Sequence, residues 1–320
     1  MAEKMKGPKR SRLEKPRKQY SIDQCALYGL KGVGQLIEVL RWPDSLGKLE
    51  RLASKKSSYR VWFHESGRRI EEPVGMLRRV HVRIATLLRR IEPPSYRQSG
   101  VRGRSYVTNA ERHVEPNPSI KLDVSAFYPS TSFAHVYALF FERLNCAPDV
   151  ALILARLCCY QEDHLPTGGV HSEVAAFYSH KGLFDRLNAR AEARGGSFSV
   201  YVDDMMLTFD KASATDLRWA VRLIEAHGLE VNRKKSRLIP KRSEKVLTGV
   251  RISGGEMRGT QKAHRNVLKK FVELDSASEN ALESAALSLL GHLDHIAQID
   301  ERFRQKAKGN RARLGPVVKR

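Results

Sequence analysis

The chain has 320 residues, 41% apolar and 29% charged, with 57 Lys and Arg against 35 Asp and Glu for a formal net charge of +22. This suits a globular protein of about two domains or lobes, and the charge excess points to a polyanion, either nucleic acid or an anionic membrane surface. No unbroken apolar run is longer than Val150 to Ala155, which is far short of the ~20 residues of a membrane span, and no apolar stretch follows the basic start as in a signal peptide.

Cys25, Cys146, Cys158 and Cys159 show no CxxC pairing and no histidine at zinc spacing, so reduced core thiols in a cytoplasmic protein are expected. The membrane, secreted, collagen-like and zinc-finger classes fall away. Positive charge is clustered: residues 1 to 18 hold eight Lys and Arg, Arg233 to Lys245 hold seven, and the last twenty residues hold eight. Three such runs favour a surface that tracks phosphates.

In chain order, Gly29, Gly32 and Gly34 have no strand before them and read as a turn between short helices, not a phosphate loop. Leu27 to Leu52 predicts two helices split near Trp42-Pro43. Tyr59 to Phe63 predicts a strand, with a return strand over Arg68 to Glu72. Leu77, Val80, Ile84, Leu87, Leu88 and Ile91 have helical spacing, and Pro93-Pro94 stops that helix. Ile120 to Ser125 alternates, with Lys121, Asp123 and Ser125 on one face. Helices are expected around Phe133 to Leu144, Pro148 to Tyr160, Ser172 (as N-cap) to Arg194, and Thr215 to His227. Ser197 to Phe209 predicts strand–turn–strand with Asp203-Asp204 at the turn, and Val246 to Ile252 a strand. Gln261 to about Lys308 has a helical pattern. The order gives an α+β fold whose antiparallel sheet brings Asp123 beside Asp203 and Asp204.

Alone, Asp123 reads as a strand-end or capping carboxylate, and an Asp-Asp pair as turn chemistry. Here the pair lies inside the apolar hairpin Phe198 to Phe209, where adjacent acids destabilise unless a cation or partner compensates. Carboxylates converging from two strands are what nucleotidyl transfer by two divalent ions requires.

Tyr201-Val202-Asp203-Asp204 resembles the catalytic box of reverse transcriptases, and Asp123 to Pro129 resembles the first catalytic box of the same palm domain. Gly228 to Ser236 resembles the later box with its lysine, Lys235. Asn109-Ala110-Glu-Arg-His113 and Leu247-Thr248-Gly249 resemble the NAxxH and VTG elements of retron reverse transcriptases, with Leu in place of Val. The resemblance covers roughly residues 25 to 310. It implies a right-hand polymerase fold, with fingers and palm over 25 to 255 and a helical thumb over 256 to 310. A basic tail is expected on each side, residues 1 to 24 and 311 to 320.

By the same resemblance, Asp123, Asp203 and Asp204 are the catalytic, metal-binding acids for two Mg²⁺ ions, with Mn²⁺ as substitute. Lys235 neutralises or protonates the leaving pyrophosphate. Tyr128, beside Phe127, is the steric gate against a ribose 2′-OH. Arg68 or Arg69 grips the dNTP triphosphate, and Thr167 and Gly168 line the nucleotide site. Asn109, His113, Leu247, Thr248 and Gly249 are assigned to RNA binding, His113 in a structural or positioning role and not as a base. One box departs: Leu165-Pro166-Thr167-Gly168 has Thr where these enzymes often have Gln, and the prolines after Gly are missing. His292 and His295, three apart on a helix, and His64 and His171 have no ligand pattern that favours a metal.

The resemblance implies an RNA-directed DNA polymerase that binds a cognate structured non-coding RNA, primes on its 2′-OH and copies part of it into single-stranded DNA, the msDNA. Host ribonuclease H trimming the template, an effector (toxin) partner, a role in antiphage defence and no membrane association are expected with it. Two alternatives stand: a template-independent or protein-primed enzyme of the abortive-infection kind, and a non-catalytic RNA-binding scaffold.

Overall fold

A computed structural model of the chain describes residues 18–318. The basic segment 1 to 17 and the last two residues lie outside the described residues. Helices α1 (Val33–Leu40) and α2 (Leu46–Ser54) are separated at Trp42-Pro43, as the proline predicts. Strands β1 (Tyr59–Phe63) and β2 (Arg69–Pro73) form an antiparallel hairpin, and α3 (Gly75–Leu88) follows with Leu77, Val80, Ile84, Leu87 and Leu88 buried along its apolar face. The short helix α4 (Tyr106–Glu111) starts in a capping box formed by Ser105 and Thr108.

Next come β3 (Ser119–Asp123), α5 (Phe127–Ser130), α6 (Phe133–Ala138), α7 (Pro148–Cys158), α8 (Ser172–Ser179) and α9 (Lys181–Glu192). The single helix expected from Ser172 is two. The chain breaks at His180, whose buried imidazole is hydrogen-bonded to Thr131, and Ser172 does not cap: its hydroxyl donates to the Pro166 carbonyl at 2.7 Å.

Strands β4 (Ser197–Tyr201) and β5 (Asp204–Thr208), helix α10 (Ala214–Ala226) and β6 (Arg237–Ile239) complete the central unit. Then β7 (Lys245–Leu247), β8 (Val250–Ser253) and β9 (Glu256–Gly259) form a small antiparallel sheet, and α11 (Gln261–Asp275), α12 (Glu279–Ala297) and α13 (Arg302–Val318) pack into a helical unit. The strand expected over Val246 to Ile252 is a hairpin, turned at Thr248 (φ 47°) and Gly249 (φ 83°). Residues 311 to 318, expected in a tail, are the second half of α13, where Leu314 is buried.

The central sheet has the order β4-β5-β3-β6, with every neighbouring pair antiparallel. Its period-two alternation separates two faces. Ile120, Leu122, Phe198, Val200, Met205 and Leu207 join the main core, against which α9 and α10 pack. The opposite face carries a polar seam. His113, just after α4, places Nδ1 2.8 Å from Thr208 Oγ1 and Nε2 2.7 Å from Ser199 Oγ, and Ser119 Oγ lies 2.8 Å from Thr208 Oγ1. Lys245 is buried beneath it, its ammonium donating to the carbonyls of His113 and Glu115 at 2.9 and 2.5 Å, and burial lowers its pKa to about 8. All four cysteines are buried and unpaired. No helix among the described residues is long and apolar enough to cross a membrane.

Two outcomes follow for stability. A Cβ at Gly196, at the entry to β4, would lie 2.2 Å from the Thr208 carbonyl oxygen and 2.4 Å from Phe209 Cβ. Gly196→Ala therefore destabilises by about 1–3 kcal/mol in denaturant titration, because backbone must move. His113 is held neutral: burial, then the charges of Lys245 and Arg112, push its pKa down to about 3. The unfolded imidazole takes a proton below about pH 6.5 and the native one does not. The stabilisation is thus complete above pH 6.5 and is lost as pH falls toward 3. His113→Gln should lower stability at pH 7 yet flatten the fall in unfolding free energy between pH 6.5 and 4.

Candidate active site

Asp123 is the last residue of β3 and Asp204 the first of β5, and they are register partners across the sheet. Tyr201 pairs with Asp204 across the β4–β5 hairpin, so Val202 and Asp203 form a two-residue turn in which Val202 takes the left-handed region at φ 60°. The three acids thus meet at one end of the sheet, lining a cavity of about 1000 Å³ together with Arg68, Tyr128 and Lys235.

Burial raises the Asp203 pKa and the neighbouring Asp123 carboxylate adds to it, while Lys235 and Arg68 pull it back. Lys235 Nζ lies 3.2 Å from both oxygens of Asp123; its side chain is 61% exposed and that of Asp123 only 9%, so the ammonium closes the site from the solvent side. The turn that carries Lys235 is tied to the end of β3 twice: Asn232 N–H donates to the Asp123 carbonyl at 2.8 Å, and Asp123 N–H donates to Ser236 Oγ at 3.0 Å. Asp204 is engaged otherwise. It accepts from the Thr248 N–H at 3.2 Å and faces Lys121 Nζ at 3.4 Å; burial raises its pKa and Lys121 opposes that. The donor set of Asp123 and Asp203, two carboxylates sharing one end of the sheet with Asp203 accepting from no other residue among the described ones, fits a hard divalent cation. Asp204 accepts one hydrogen bond, on Oδ2, while Oδ1 lies in ion-pair range of Lys121 with no hydrogen-bond partner among the described residues.

Ala126 (φ 45°) turns the chain so that α5 starts immediately after β3. Phe127 is buried against His180, with ring centroids 5.5 Å apart, and Tyr128 is partly exposed on the cavity. Burial, then the charges of Glu173 and Asp203, push the Tyr128 phenol up. The two arginines separate clearly. Arg69 is bound, with Nη1 3.2 Å from Glu71 Oε1 and Nη2 3.3 Å from the Tyr160 hydroxyl. The Arg68 guanidinium has no hydrogen-bond or ion-pair partner among the described residues, and its charge is felt by Asp203 and Tyr128. Thr167 lines the cavity and its N–H donates to Glu71 Oε2 at 3.0 Å. Gly168 lies so close to β2 that a Cβ there would be 2.8 Å from the Glu71 carbonyl oxygen.

The residues assigned to RNA binding are mostly interior. Asn109, His113 and Leu247 are fully buried, and Asn109 Nδ2 donates to Thr248 Oγ1 at 3.4 Å. Direct contact with RNA is not open to these three, because His113 is consumed by the polar seam and Leu247 packs with Met206 and Ile239. Thr248 reaches the cavity, Gly249 sits at the neighbouring turn, and the Thr248 amide holds Asp204. His292 Nδ1 lies 2.8 Å from the Ser288 carbonyl oxygen, and His295 stacks on Tyr106 with ring centroids 4.7 Å apart.

Two features escaped the sequence reading. Lys121, two residues before Asp123 and on the same strand face, is the counter-charge to Asp204; the alternation placed it there and gave the signal. His135, His180 and His227 converge from three helix ends with ring nitrogens within 4.8 Å of one another. Hydrogen bonds account for that cluster. His135 Nε2 faces the His227 carbonyl at 2.9 Å, His227 Nε2 faces His180 Nδ1 at 3.1 Å, and His180 Nε2 faces Thr131 Oγ1 at 2.9 Å. Thr131 in turn donates to the Phe127 carbonyl at 2.8 Å. A cation there would have to break this run, with the nearby Arg143 charge against it. Positions 135, 180 and 227 are too far apart in sequence for spacing to reveal them.

No family model matches the chain. It is 27% identical over 232 residues to the retron Se72 reverse transcriptase of Salmonella heidelberg, covering 67% of this chain and 60% of that protein. It is 28% identical over 253 residues to the retron Mx65 reverse transcriptase of Myxococcus xanthus, covering 73% and 58%. With the retron Ec86 reverse transcriptase of Escherichia coli it shares 24% over 207 residues, covering 63% and 62%. The chain spans about three-fifths of the length of these curated relatives. In its motifs and over about two-thirds of its sequence, the chain resembles the retron reverse transcriptases.

Proposed function

We propose that this chain is an RNA-directed DNA polymerase of the retron type. The observation that carries the reading is the meeting of Asp123 and Asp203 at one end of the sheet, in a cavity that also holds Lys235, Arg68 and Tyr128. The central unit reads as palm, the β1–β2 hairpin and the helices around it as fingers, and α11–α13 as thumb. Asp123 and Asp203 hold the divalent ions, Mg²⁺ or Mn²⁺, with Asp204 in support. When bound, such ions lower the pKa of an attacking hydroxyl and stabilise the leaving pyrophosphate.

The remaining steps belong to the protein. Arg68 binds the triphosphate, since it is the arginine left without a partner beside the acids, while Arg69 holds the hairpin to Tyr160 and Glu71. The phenol of Tyr128 stands against the sugar and excludes a 2′-OH by bulk. Lys235, 3.2 Å from Asp123 before substrate arrives, is positioned to balance charge on the pyrophosphate or hand it a proton. Thr167 and Gly168 present backbone at the nucleotide site in place of a glutamine amide. The net charge of +22 supports an RNA partner. In this reading the template is a cognate structured non-coding RNA, primed at a 2′-OH and copied in part into msDNA. Host ribonuclease H trims the template, an effector protein is a partner, and the setting is antiphage defence in the cytoplasm.

Primer extension on an RNA template with Mg²⁺ and dNTPs tests the reading, and no extension by the wild-type chain would refute it. Asp123→Asn or Asp203→Asn should abolish synthesis while leaving RNA retention in a filter-binding assay nearly unchanged. Arg68→Ala should raise the KM for dNTP by about tenfold or more, the loss of one charge-assisted contact. Arg69→Ala should instead lower the melting temperature with a smaller change in KM. Tyr128→Ala should leave dNTP incorporation measurable and admit rNTPs; an unchanged ratio of the two single-nucleotide rates would move the gate elsewhere, with Phe127 next.

A further inference from the structure

Behind the Val202-Asp203 turn lies a group of side chains that the catalytic reading does not use. Residues 96 to 98 run alongside β4: Gln98 N–H donates to the Val200 carbonyl at 2.9 Å, and Val200 N–H donates to the Tyr96 carbonyl at 3.0 Å. This brings Ser99 directly under the turn. The Ser99 hydroxyl donates to Glu173 Oε1 at 2.8 Å and accepts from the Val202 N–H at 3.3 Å.

Glu173 is held in turn by Arg97. One guanidinium nitrogen lies 3.0 and 3.1 Å from the two carboxylate oxygens. The Arg97 side chain is 2% exposed and its guanidinium stands 4.5 Å over the Phe177 ring, so the base of this pair is fixed by its packing. Gly100 completes the fit: a Cβ there would lie 2.3 Å from the Glu173 carboxylate, in a backbone already at φ +61°. Glu173 stands in the box where the chain departs from the reverse transcriptase pattern, in the stretch from which the prolines are missing. Glu173 is partly buried, and the buried Arg97 supplies its counter-charge.

We propose that Ser99, locked by the Glu173–Arg97 pair, is a positioning residue that sets the Val202-Asp203 turn and thereby the affinity of the Asp123–Asp203 pair for a divalent cation. This rests on the cation-binding part of the function proposed above. Val202 sits in the left-handed region that a β-branched residue avoids, so the turn requires outside support. Within the turn the Val202 amide is the group that Ser99 holds, one residue before the carboxylate that must face Asp123. Removing the hydroxyl leaves this amide unpaired and the turn free to relax.

The test measures Mn²⁺ binding to the full chain by electron paramagnetic resonance, with no need for catalysis. Asp123→Asn and Asp203→Asn first identify the signal that belongs to this site. Ser99→Ala should then weaken that binding by about tenfold, as removal of an orienting partner does at metal sites, with little loss of melting temperature. Glu173→Gln retains an acceptor for the Ser99 hydroxyl but leaves Arg97 buried without a counter-charge. It should therefore lower the melting temperature more than Ser99→Ala does and Mn²⁺ affinity less. That crossed order is what a merely structural role cannot give, since affinity would then follow stability. Affinity unchanged in Ser99→Ala, or losses of affinity ranked as the losses of stability, overturns the proposal. So does Mn²⁺ binding that is indifferent to Asp123 and Asp203. A wild-type chain that binds Mn²⁺ through these acids but extends no primer refutes the polymerase reading and leaves the positioning role to stand on the Mn²⁺ data.

Discussion

The structure is organised around an electrostatic conflict. Asp123 and Asp204 face each other across two paired strands, and Asp203 sits at the adjoining turn. Like charges directly opposite on a sheet are destabilising, and burial raises the pKa of both Asp203 and Asp204. The chain resolves this with cations of different standing. Lys121 faces Asp204 from within the sheet, a fixed structural charge. Lys235 approaches Asp123 from an exposed turn, its own side chain 61% exposed. The division leaves Asp203 without a hydrogen-bonded cation of its own among the described residues, Asp123 paired to an exposed lysine, and Asp204 paired to one within the sheet.

Supports on the sheet's polar face keep the acids in place. His113 bridges Ser199 and Thr208 on adjacent strands, and Lys245 sits under it on two backbone carbonyls. The Thr248 turn of the small sheet donates its amide to Asp204 and accepts Asn109 from α4. The two segments that resemble retron elements, 109 to 113 and 247 to 249, therefore meet in space, and the second is bonded directly to Asp204. Their placement links α4, the small sheet and the acidic end of the central sheet. The helical unit joins the same junction, with Tyr106 stacked on His295 and its hydroxyl on the His295 carbonyl at 3.2 Å.

The departures from the reverse transcriptase pattern are coupled to their surroundings. Thr167 lacks an amide side chain, yet its backbone N–H is anchored on buried Glu71, which also binds Arg69. Glu173 brings a charge into a packed region, and Arg97, Ser99 and Gly100 are shaped around it. Each change at one place in the sequence is answered by residues about 70 to 100 positions away, which is how a buried charge must be met.

Much of this is legible in the amino-acid sequence. The period-two alternation of residues 120 to 125 put Lys121 and Asp123 on one strand face, the Asp-Asp pair inside an apolar hairpin marked a turn that must meet a cation, and proline and glycine marked most helix ends correctly. These features are local, set by backbone sterics and side-chain alternation within a few residues. The break at His180 and the hairpin at Thr248-Gly249 were not legible: the first is decided by the distant bonding of a buried imidazole, the second by two left-handed residues, one of them a threonine. Arg68 and Arg69 cannot be separated in sequence because they are adjacent and alike in chemistry; Arg69 opens β2 and is claimed by Tyr160 and Glu71, while Arg68 precedes the strand. The burial of Asn109, His113 and Leu247, and the Arg97–Glu173–Ser99 support beneath the turn, exist only once segments far apart in the chain are packed together. The sequence by itself determined which groups could do the chemistry; tertiary packing decided which of them are free to do it, because in a buried site a polar group is available only if no neighbour has already satisfied it.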